Sequence, residues 1–248
     1  MGGKAKSRKS RRDPKSAEKR GPKRPSRGSR PSKRAIGSGL KESSARWLRR
    51  QANDPFVRAA KAQGYRSRSA FKLSEIDDRF KIFARGRSVV DLGAAPGGWS
   101  QVAAERVKAN TSNGGSVLAV DLNPLDPIPG VTIVCMDVES DAVIVEIGRM
   151  TPGGVDAVIS DMAPPATGHR ETDHVRTVAL ADAALILALE VLKPGGAFVA
   201  KVTQGGSAKE LLMAMQSRFA SVRHFKPKAS RKESPETYVV ATGLKSPK

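Results

Sequence analysis

The chain has little cysteine, few aromatic residues and no long apolar run. Its 248 residues include one cysteine, Cys135, so no disulfide bond can form within the chain, and a reducing compartment is expected. No apolar run approaches the roughly 18 residues that a membrane-spanning helix needs, and the N-terminus lacks the apolar segment of a secretory signal. We therefore expect a cytoplasmic protein.

The sequence also lacks the spacings that bind metal ions. The three histidines, His169, His174 and His224, form no H-E-x-x-H motif and do not pair with cysteine at zinc spacing, so we expect no metal site. Cys135 lies in the apolar run 131–136, which predicts a small core residue.

Positive charge is abundant and unevenly distributed. The chain has a net charge of +20, and +13 of it comes from residues 1–44, where sixteen Lys and Arg residues face three acidic residues. This segment has almost no large apolar residue, so we expect a disordered basic tail that binds nucleic acid through its phosphates. A solubilising or targeting tail is the alternative, although no amphipathic face of a mitochondrial transit peptide is visible.

A second basic segment covers residues 45–68. It mixes Lys and Arg with two aromatic residues, Trp47 and Tyr65, and contains the pair Arg66 and Arg68. Such a mixture favours contact with RNA, although Trp47 can instead pack on the following domain.

From residue 69 to residue 248 the pattern alternates helices with short apolar strands, which predicts one α/β domain with a doubly wound, mostly parallel sheet. The predicted helices are 69–80, 98–107, 142–149, 172–192 and 208–219. The predicted strands are 88–92, 116–121, 131–135, 155–160, 197–202, 221–225 and 237–241. Ligands of such sheets bind at the carboxyl ends of the strands.

A glycine-rich turn, 93–98, joins the first strand to a helix. Its glycines let a ligand approach the backbone, but the spacing differs from that of dinucleotide folds. Pro96 has no N–H for a phosphate, and Asp91 would repel one. A nucleoside with a cationic centre, such as S-adenosylmethionine, suits this turn; an ordinary strand–turn–helix corner is the alternative.

Acidic residues lie at the predicted strand ends. Asp121 is placed to accept hydrogen bonds from ribose hydroxyls, Asp137 to reach an adenine amino group, and Asp161 ends the fourth strand. Each aspartate taken alone is also compatible with a turn or a helix cap.

Five segments together resemble the FtsJ-like (RlmE) ribosomal RNA methyltransferases, which methylate a ribose 2′-hydroxyl using S-adenosylmethionine. They are GYRSRSAFKL, VVDLGAAPGGWSQ, SDMAPPATGH, LKPGGAFVAKV and SPETYVVATG, between about Trp47 and Gly243. The resemblance implies a Rossmann-like S-adenosylmethionine-dependent methyltransferase fold with seven strands. It also implies a catalytic tetrad at Lys72, Asp161, Lys201 and Glu236, and cofactor contacts from Gly97, Trp99, Asp121, Asp137 and Asp161. Glu236 is preferred to Glu233 because the family places the acid two residues before the tyrosine.

The tetrad suits methyl transfer to a hydroxyl. A ribose hydroxyl attacks a sulfonium methyl group only as its proton leaves, and a neutral lysine can accept that proton. Burial at a strand end and the neighbouring cation of Lys72 favour a neutral Lys201, which is the candidate base. Asp161 and Glu236 would position the ammonium groups, while Lys72 or the Arg66 and Arg68 pair would neutralise anionic charge. Taken alone, either lysine is compatible with an ordinary surface role.

The substrate implied by the resemblance is the A-loop uridine of 23S ribosomal RNA in the large ribosomal subunit. Transfer RNA and an mRNA cap are alternatives, but no aromatic pair suited to a cap is evident. A non-catalytic ribosome-assembly factor that binds RNA is a further alternative, and the origin can be bacterial or organellar. We expect a monomer.

Overall fold

The computed structural model describes residues 1–2, 53–203 and 208–246. A seven-stranded sheet forms its centre. The strands are β1 (Ser88–Leu92), β2 (Ser116–Asp121), β3 (Val131–Cys135), β4 (Val155–Ser160), β5 (Leu192–Thr203), β6 (Phe219–Phe225) and β7 (Glu236–Leu244). Their order in the sheet is β3-β2-β1-β4-β5-β7-β6. The strands from β1 to β5 pair in parallel, and β7 is antiparallel to both of its neighbours. This confirms the predicted α/β architecture.

Helices cover both faces of the sheet. The helices of the described residues are α1 (Pro55–Ala62), α2 (Ala70–Phe80), α3 (Gly98–Val107), α4 (Asp141–Met150), α5 (Arg170–Val191) and α6 (Ala208–Arg218). Leu73 and Ile76 of α2 and Val102 of α3 pack in one core cluster. Helices α4, α5 and α6 contribute to a second cluster, which includes Ile147 and Leu187. The strands are therefore apolar on both faces, as expected for a covered parallel sheet.

Most predicted boundaries agree with the structure, and two segments differ. Strand β5 begins at Leu192, directly after α5, and includes Pro194, Gly195 and Gly196, which the sequence predicted to separate the two elements. Leu192 pairs with Val155, and a register shift between Val155 and Ala157 accommodates the extra residues. The turn-forming residues thus lie in an irregular strand because backbone pairing resumes on both sides of them.

Helix α1 was not predicted, although its start signals are present in the sequence. Asp54 is the N-cap, and its carboxylate accepts a hydrogen bond of 2.9 Å from the backbone N–H of Phe56. Pro55 occupies the first helical position, where the N–H that proline lacks is not needed.

The prediction that Cys135 is a core residue is wrong. Its side chain is exposed, because β3 is an edge strand of the sheet and its residues are only partly covered. The predicted tail, residues 1–44, lies outside the described residues apart from Met1 and Gly2, and so does Trp47. Every helix in the described part of the chain is too short or too polar to cross a lipid bilayer.

Candidate active site

Lys201 and Asp161 form an ion pair at the carboxyl edge of the sheet. Ser160 of β4 lies opposite Ala200 of β5, so the next residues along the two strands stand side by side. The ammonium group of Lys201 lies 2.9 Å from Asp161 Oδ1 and 2.5 Å from the backbone oxygen of the same residue. Both side chains are largely buried, with 10% and 16% of their surface exposed. The two acceptors on Asp161 therefore fix the position of the Lys201 ammonium group.

Lys72 and Glu236 form a second ion pair. Lys72 lies in the first turn of α2, Glu236 begins β7, and Lys72 Nζ is 2.5 Å from Glu236 Oε1. The Ser230 hydroxyl donates a second hydrogen bond to the same oxygen, at 3.0 Å. Glu233, the nearby acid in the sequence, is exposed. The structure therefore brings Glu236 to Lys72.

Tyr238 connects the two ion pairs. Its hydroxyl donates to Asp161 Oδ1 at 2.7 Å and accepts from Lys72 Nζ at 3.2 Å. Tyr238 lies directly opposite Lys201 in the antiparallel pairing of β5 and β7, so the two side chains project from the same face of the sheet. The tyrosine is present in the SPETYVVATG segment, but in the sequence it served only to locate the glutamate. The site is thus a five-residue network.

The network determines the charge of its buried acid. Burial acts to raise the pKa of Asp161, but the ammonium groups of Lys201 and Lys72 and the hydrogen bonds from Lys201 and Tyr238 hold it below its usual value. For Tyr238, burial and the neighbouring carboxylates of Asp161 and Glu236 raise the pKa well above its usual value. Asp161 is therefore an anion at neutral pH and Tyr238 a neutral donor.

Trp99 supports this network from within the core. Its indole is only 2% exposed, packs 5.5 Å from the Tyr238 ring between centroids, and donates from Nε1 to the backbone oxygen of Ser69 at 2.9 Å. Ser69 immediately precedes α2, the helix that carries Lys72. Trp99 thus holds both Tyr238 and the start of α2 in place.

A cavity of about 550 Å³ opens beside Asp161 over the ends of β1, β2 and β4. Three predicted cofactor residues, Asp121, Asp137 and Asp161, lie in its wall together with the apolar side chains of Leu122, Val138 and Met162. Gly97 and Trp99, also predicted to contact the cofactor, are not among its lining residues. Glu139 adds a fourth carboxylate and Arg176 one cation, so the wall is acidic on balance and partly apolar.

Asp121 and Asp137 already organise the cavity wall. One oxygen of Asp121 accepts from the Ala95 N–H at 2.8 Å, and the other accepts from the backbone and side chain of Asn123 at 2.7 and 3.0 Å. Asp137 accepts from the Glu139 N–H at 2.9 Å. Each carboxylate oxygen has two lone pairs, so both side chains retain acceptor capacity for a ligand.

The glycine-rich turn borders the cavity at Gly93 and Ala95 and is otherwise packed against the protein itself. Gly93 and Gly97 have φ angles of 71° and 109°, in the left-handed region that favours glycine. A Cβ atom at Gly93 would lie 2.3 Å from Met162 Cγ, and one at Gly97 would lie 2.7 Å from Ile128 Cδ1. The N–H groups of residues 93, 94, 95 and 97 all have internal acceptors, so this part of the turn offers no free donors to a phosphate.

Arg66 and Arg68 are engaged in contacts within the chain. The Arg66 guanidinium donates to the backbone oxygens of Pro96, Asp126 and Pro127 at 2.8 to 3.3 Å. Arg68 pairs with Asp54 at 2.8 Å and donates to the backbone oxygen of Ala229. These arginines therefore fix the loops around the site, whereas the sequence led us to expect that they face a phosphate or an oxyanion.

Comparison with known proteins shows the family of this chain. Residues 65–244 match the model of the FtsJ-like methyltransferase family. The chain is 56% identical over 202 residues to ribosomal RNA large subunit methyltransferase E of Granulibacter bethesdensis, covering 82% of this chain and 85% of that protein. It is 51% identical over 209 residues to the protein of the same name from Parvibaculum lavamentivorans, covering 82% of each.

A solved structure shares the fold. The crystal structure of a ribosomal RNA methyltransferase from Plasmodium falciparum superposes with a TM-score of 0.66 at 26% identity, covering 74% of this chain and 100% of that one. The family match spans the sheet, both ion pairs and the cavity. The chain therefore belongs to the FtsJ-like methyltransferase family.

Proposed function

We propose that this protein transfers a methyl group from S-adenosylmethionine to a ribose 2′-hydroxyl of RNA. The observation that carries the proposal is the network of Lys201, Asp161, Tyr238, Lys72 and Glu236 beside an acidic cavity. It combines a lysine that can exchange a proton with a cavity for a cationic ligand. Both are needed to methylate a weakly nucleophilic oxygen.

The cavity fits S-adenosylmethionine by its chemistry. Asp121, Asp137 and Asp161 give it negative charge, and Leu122 and Val138 offer apolar surface to an adenine ring. The turn offers no free N–H at residues 93–95 or 97, which disfavours a phosphate and suits a cationic nucleoside. Asp121 would accept from the ribose hydroxyls and Asp137 from the adenine amino group. When bound, this donor supplies a methyl group on a positively charged sulfur.

Lys201 is the proposed general base. In its neutral form its nitrogen lone pair would accept the proton of the 2′-hydroxyl, and in exchange for that proton the hydroxyl oxygen would take the methyl group that bound S-adenosylmethionine would supply from its sulfur. The protonated Lys201 is then the partner of Asp161, 2.9 Å away in the structure. Because Asp161 stays ionised, it stabilises the ammonium group that the reaction forms.

The remaining residues position this proton transfer. Lys72 is held between the Glu236 carboxylate and the Tyr238 hydroxyl, so its positive charge is fixed within the network, where it would oppose negative charge that develops on the reacting oxygen. Tyr238 donates to Asp161 and thereby fixes the carboxylate that holds Lys201. Trp99 contributes through its packing on Tyr238.

The proposed substrate is the A-loop uridine of 23S ribosomal RNA in the large ribosomal subunit, methylated in the cytoplasm by a monomer. Support comes from the names of the relatives and from the +13 charge of residues 1–44, which suits a polyanion. Deletion of residues 1–40 tests the contribution of this charge. The slope of log RNA affinity against log salt concentration should become shallower by roughly 0.7 to 0.9 for each phosphate contact that is lost.

The proposal is tested by incubating the protein with radiolabelled S-adenosylmethionine and three substrates: transfer RNA, free 23S RNA, and large subunits from cells that lack this methylation. We expect label on the 2′-oxygen of one uridine in the large subunits. Lys201→Ala and Lys201→Arg should abolish incorporation while calorimetry shows unchanged donor binding, because neither side chain can accept the proton. Label on transfer RNA alone would overturn the substrate assignment, and no label on any RNA would favour a binding factor.

A further inference from the structure

A second cavity lies next to the network and plays no part in the proposed proton transfer. It measures about 460 Å³ and lies between the first two turns of α5, the end of β5 and the residue that precedes β7. Its lining residues are Arg170, Glu171, Asp173, His174, Thr177, Thr203 and Pro235. None of them lines the first cavity. The second cavity is thus a separate space of a size typical of small-ligand sites.

The pairing of β5 and β7 places this cavity beside the proposed base. Thr203 lies two residues beyond Lys201 on β5, so both side chains leave the same face of the strand. Thr203 is also opposite Glu236 in the β5–β7 register, and Pro235 immediately precedes Glu236. The first cavity covers the ends of β1, β2 and β4, so the Lys201–Asp161 pair lies between the two cavities.

Among the lining residues, His174 has a buried hydrogen-bonding atom without a partner among the described residues. Its Nδ1 is hydrogen-bonded to the Thr203 hydroxyl, and its Nε2 is buried without a partner among the described residues. A buried ring nitrogen without a partner is costly, so such an atom indicates a missing ligand group. Two other polar lining residues are engaged within the chain: Thr177 donates to the Asp173 backbone oxygen, and the Asp173 carboxylate accepts from Thr167 and Gly168. The side chains of Arg170 and Glu171 are exposed at the rim of the cavity.

The charge of the cavity disfavours a phosphate. Glu171 and Asp173 oppose the single arginine, Arg170, among the lining residues, and an RNA phosphate binds where cationic groups or free N–H groups converge. The carboxylates of Glu171 and Asp173 would repel a phosphate but would not repel a neutral ring that carries hydrogen-bonding groups on its edge. Arg170 has a planar guanidinium group, the kind of surface on which unstacked bases stack in RNA-binding proteins, and Pro235 adds apolar surface to the lining.

We propose that the second cavity binds the nucleobase of the nucleotide that is methylated, and that His174 reads its edge. This inference rests on the proposed function, because the base is attached to C1′, the carbon next to the one that bears the 2′-hydroxyl. A hydroxyl placed at Lys201 therefore brings its base close to Thr203. The Thr203 hydroxyl fixes the His174 ring, and Nε2 makes one directional hydrogen bond, as a donor or as an acceptor according to the tautomer.

The test compares large subunits whose 23S RNA carries either uridine or cytidine at the A-loop target. Uracil and cytosine have the same shape, but their donors and acceptors are exchanged at positions 3 and 4, so only a hydrogen-bonding site separates them. For the native protein we expect kcat/KM to be roughly tenfold higher with uridine than with cytidine, mainly through KM. In His174→Ala this ratio should fall below about threefold, with unchanged donor affinity by calorimetry.

Two further variants strengthen the test. His169→Ala removes an exposed histidine at the N-cap of the same helix and should keep the native ratio. Thr203→Val preserves shape but frees the His174 ring, so it should lose part of the discrimination. A native ratio near one, or an unchanged ratio in His174→Ala, overturns the base pocket while leaving the methylation itself established. Absence of methylation by the native protein overturns the proposed function.

Discussion

Asp91 is a buried aspartate of β1 and Asp161 is a largely buried aspartate directly after the neighbouring strand β4, yet their surroundings favour opposite charge states. Asp91 lies opposite Ile159 in the parallel pairing of β1 with β4, and Asp161 comes two residues after Ile159. Asp161 accepts hydrogen bonds from Lys201 and Tyr238. Asp91 accepts one bond, from the Ser100 hydroxyl at 2.6 Å, and its Oδ1 has no partner among the described residues.

Their pKa values diverge for this reason. Burial and repulsion from Asp161 and Asp121 raise the pKa of Asp91 to about 7. The hydrogen bond from Ser100 acts to lower this pKa but offsets the rise only in part. For Asp161, burial acts in the same direction, but the cations of Lys201 and Lys72 and the hydrogen bonds outweigh it and lower the pKa. Burial alone therefore does not set the charge of a carboxyl group; the partners decide it.

The difference in charge between the two aspartates helps to hold Lys201 in place. An anionic Asp91 near Asp161 would repel that carboxylate, whereas a protonated Asp91 leaves the negative charge on the residue that holds Lys201. Four substitutions test this contrast between the two aspartates.

Asp161→Asn should have the largest effect on the methylation rate. The amide cannot balance two ammonium groups, so we expect the methylation rate to fall roughly a hundredfold or more, and the free energy of unfolding to fall by about 3 kcal/mol because buried cations lose their counterion. Single-turnover methylation and urea unfolding measure the two effects. Asp156→Asn, at the partly exposed start of the same strand, is the matched control, and equal losses in both variants would contradict the assigned role.

Asp91→Asn should stabilise the protein at high pH. The folded pKa is about 7, above the unfolded value of about 4, so the folded state binds the extra proton between these limits and the native protein loses stability as pH rises through this window. Asparagine has no proton to lose. The free energy of unfolding of Asp91→Asn should therefore rise relative to that of the native protein by up to about 4 kcal/mol from pH 4 to 8. Urea unfolding across this range measures it, and a constant difference would show that Asp91 does not titrate there.

Most of the fold was predictable from the sequence because its strands are apolar and short and end in aspartates or turns. Lys72, Asp161, Lys201 and Glu236 were selected only through the segments shared with a known family, and the structure brings these four side chains into one network. Their catalytic roles stay a prediction. Their contacts then follow from register, which places Asp161 beside Lys201 and Tyr238 opposite it.

What the sequence did not predict depends on contacts between distant segments. The role of Tyr238 needs the antiparallel register of β7, and the pairing of Arg68 with Asp54 and Ala229 needs three segments to meet. The sequence alone does not show whether the charge of an arginine is exposed to solvent or paired within the chain. Cys135 was misassigned for a similar reason, because an apolar run does not reveal that its strand lies at the edge of the sheet.

Tyr238→Phe tests the connection between the two ion pairs. Phenylalanine keeps the packing against Trp99 but removes the bonds to Asp161 and Lys72. We expect a rate loss of roughly tenfold and a stability loss of about 1 to 2 kcal/mol. Because the pKa of Tyr238 is raised well above its usual value, the hydroxyl stays neutral, and the rate ratio should be constant between about pH 6 and 9. A ratio that changes within this range would indicate that Tyr238 itself exchanges a proton.

Ser100→Ala should have the smallest effect and probes the contrast from the side of Asp91. Removal of the Ser100 hydroxyl deletes a bond that lowers the pKa of Asp91, so this pKa should rise further and the variant should lose stability more steeply than the native protein as pH increases. At pH 5, where Asp91 is largely protonated, the loss should be about 1 kcal/mol. In the Asp91→Asn background the steeper pH dependence should disappear, since no titrating group remains at that position. Its persistence in the double variant, measured by urea unfolding, would mean that Ser100 acts through another acid, and the contrast with Asp161 would then not rest on hydrogen-bond partners.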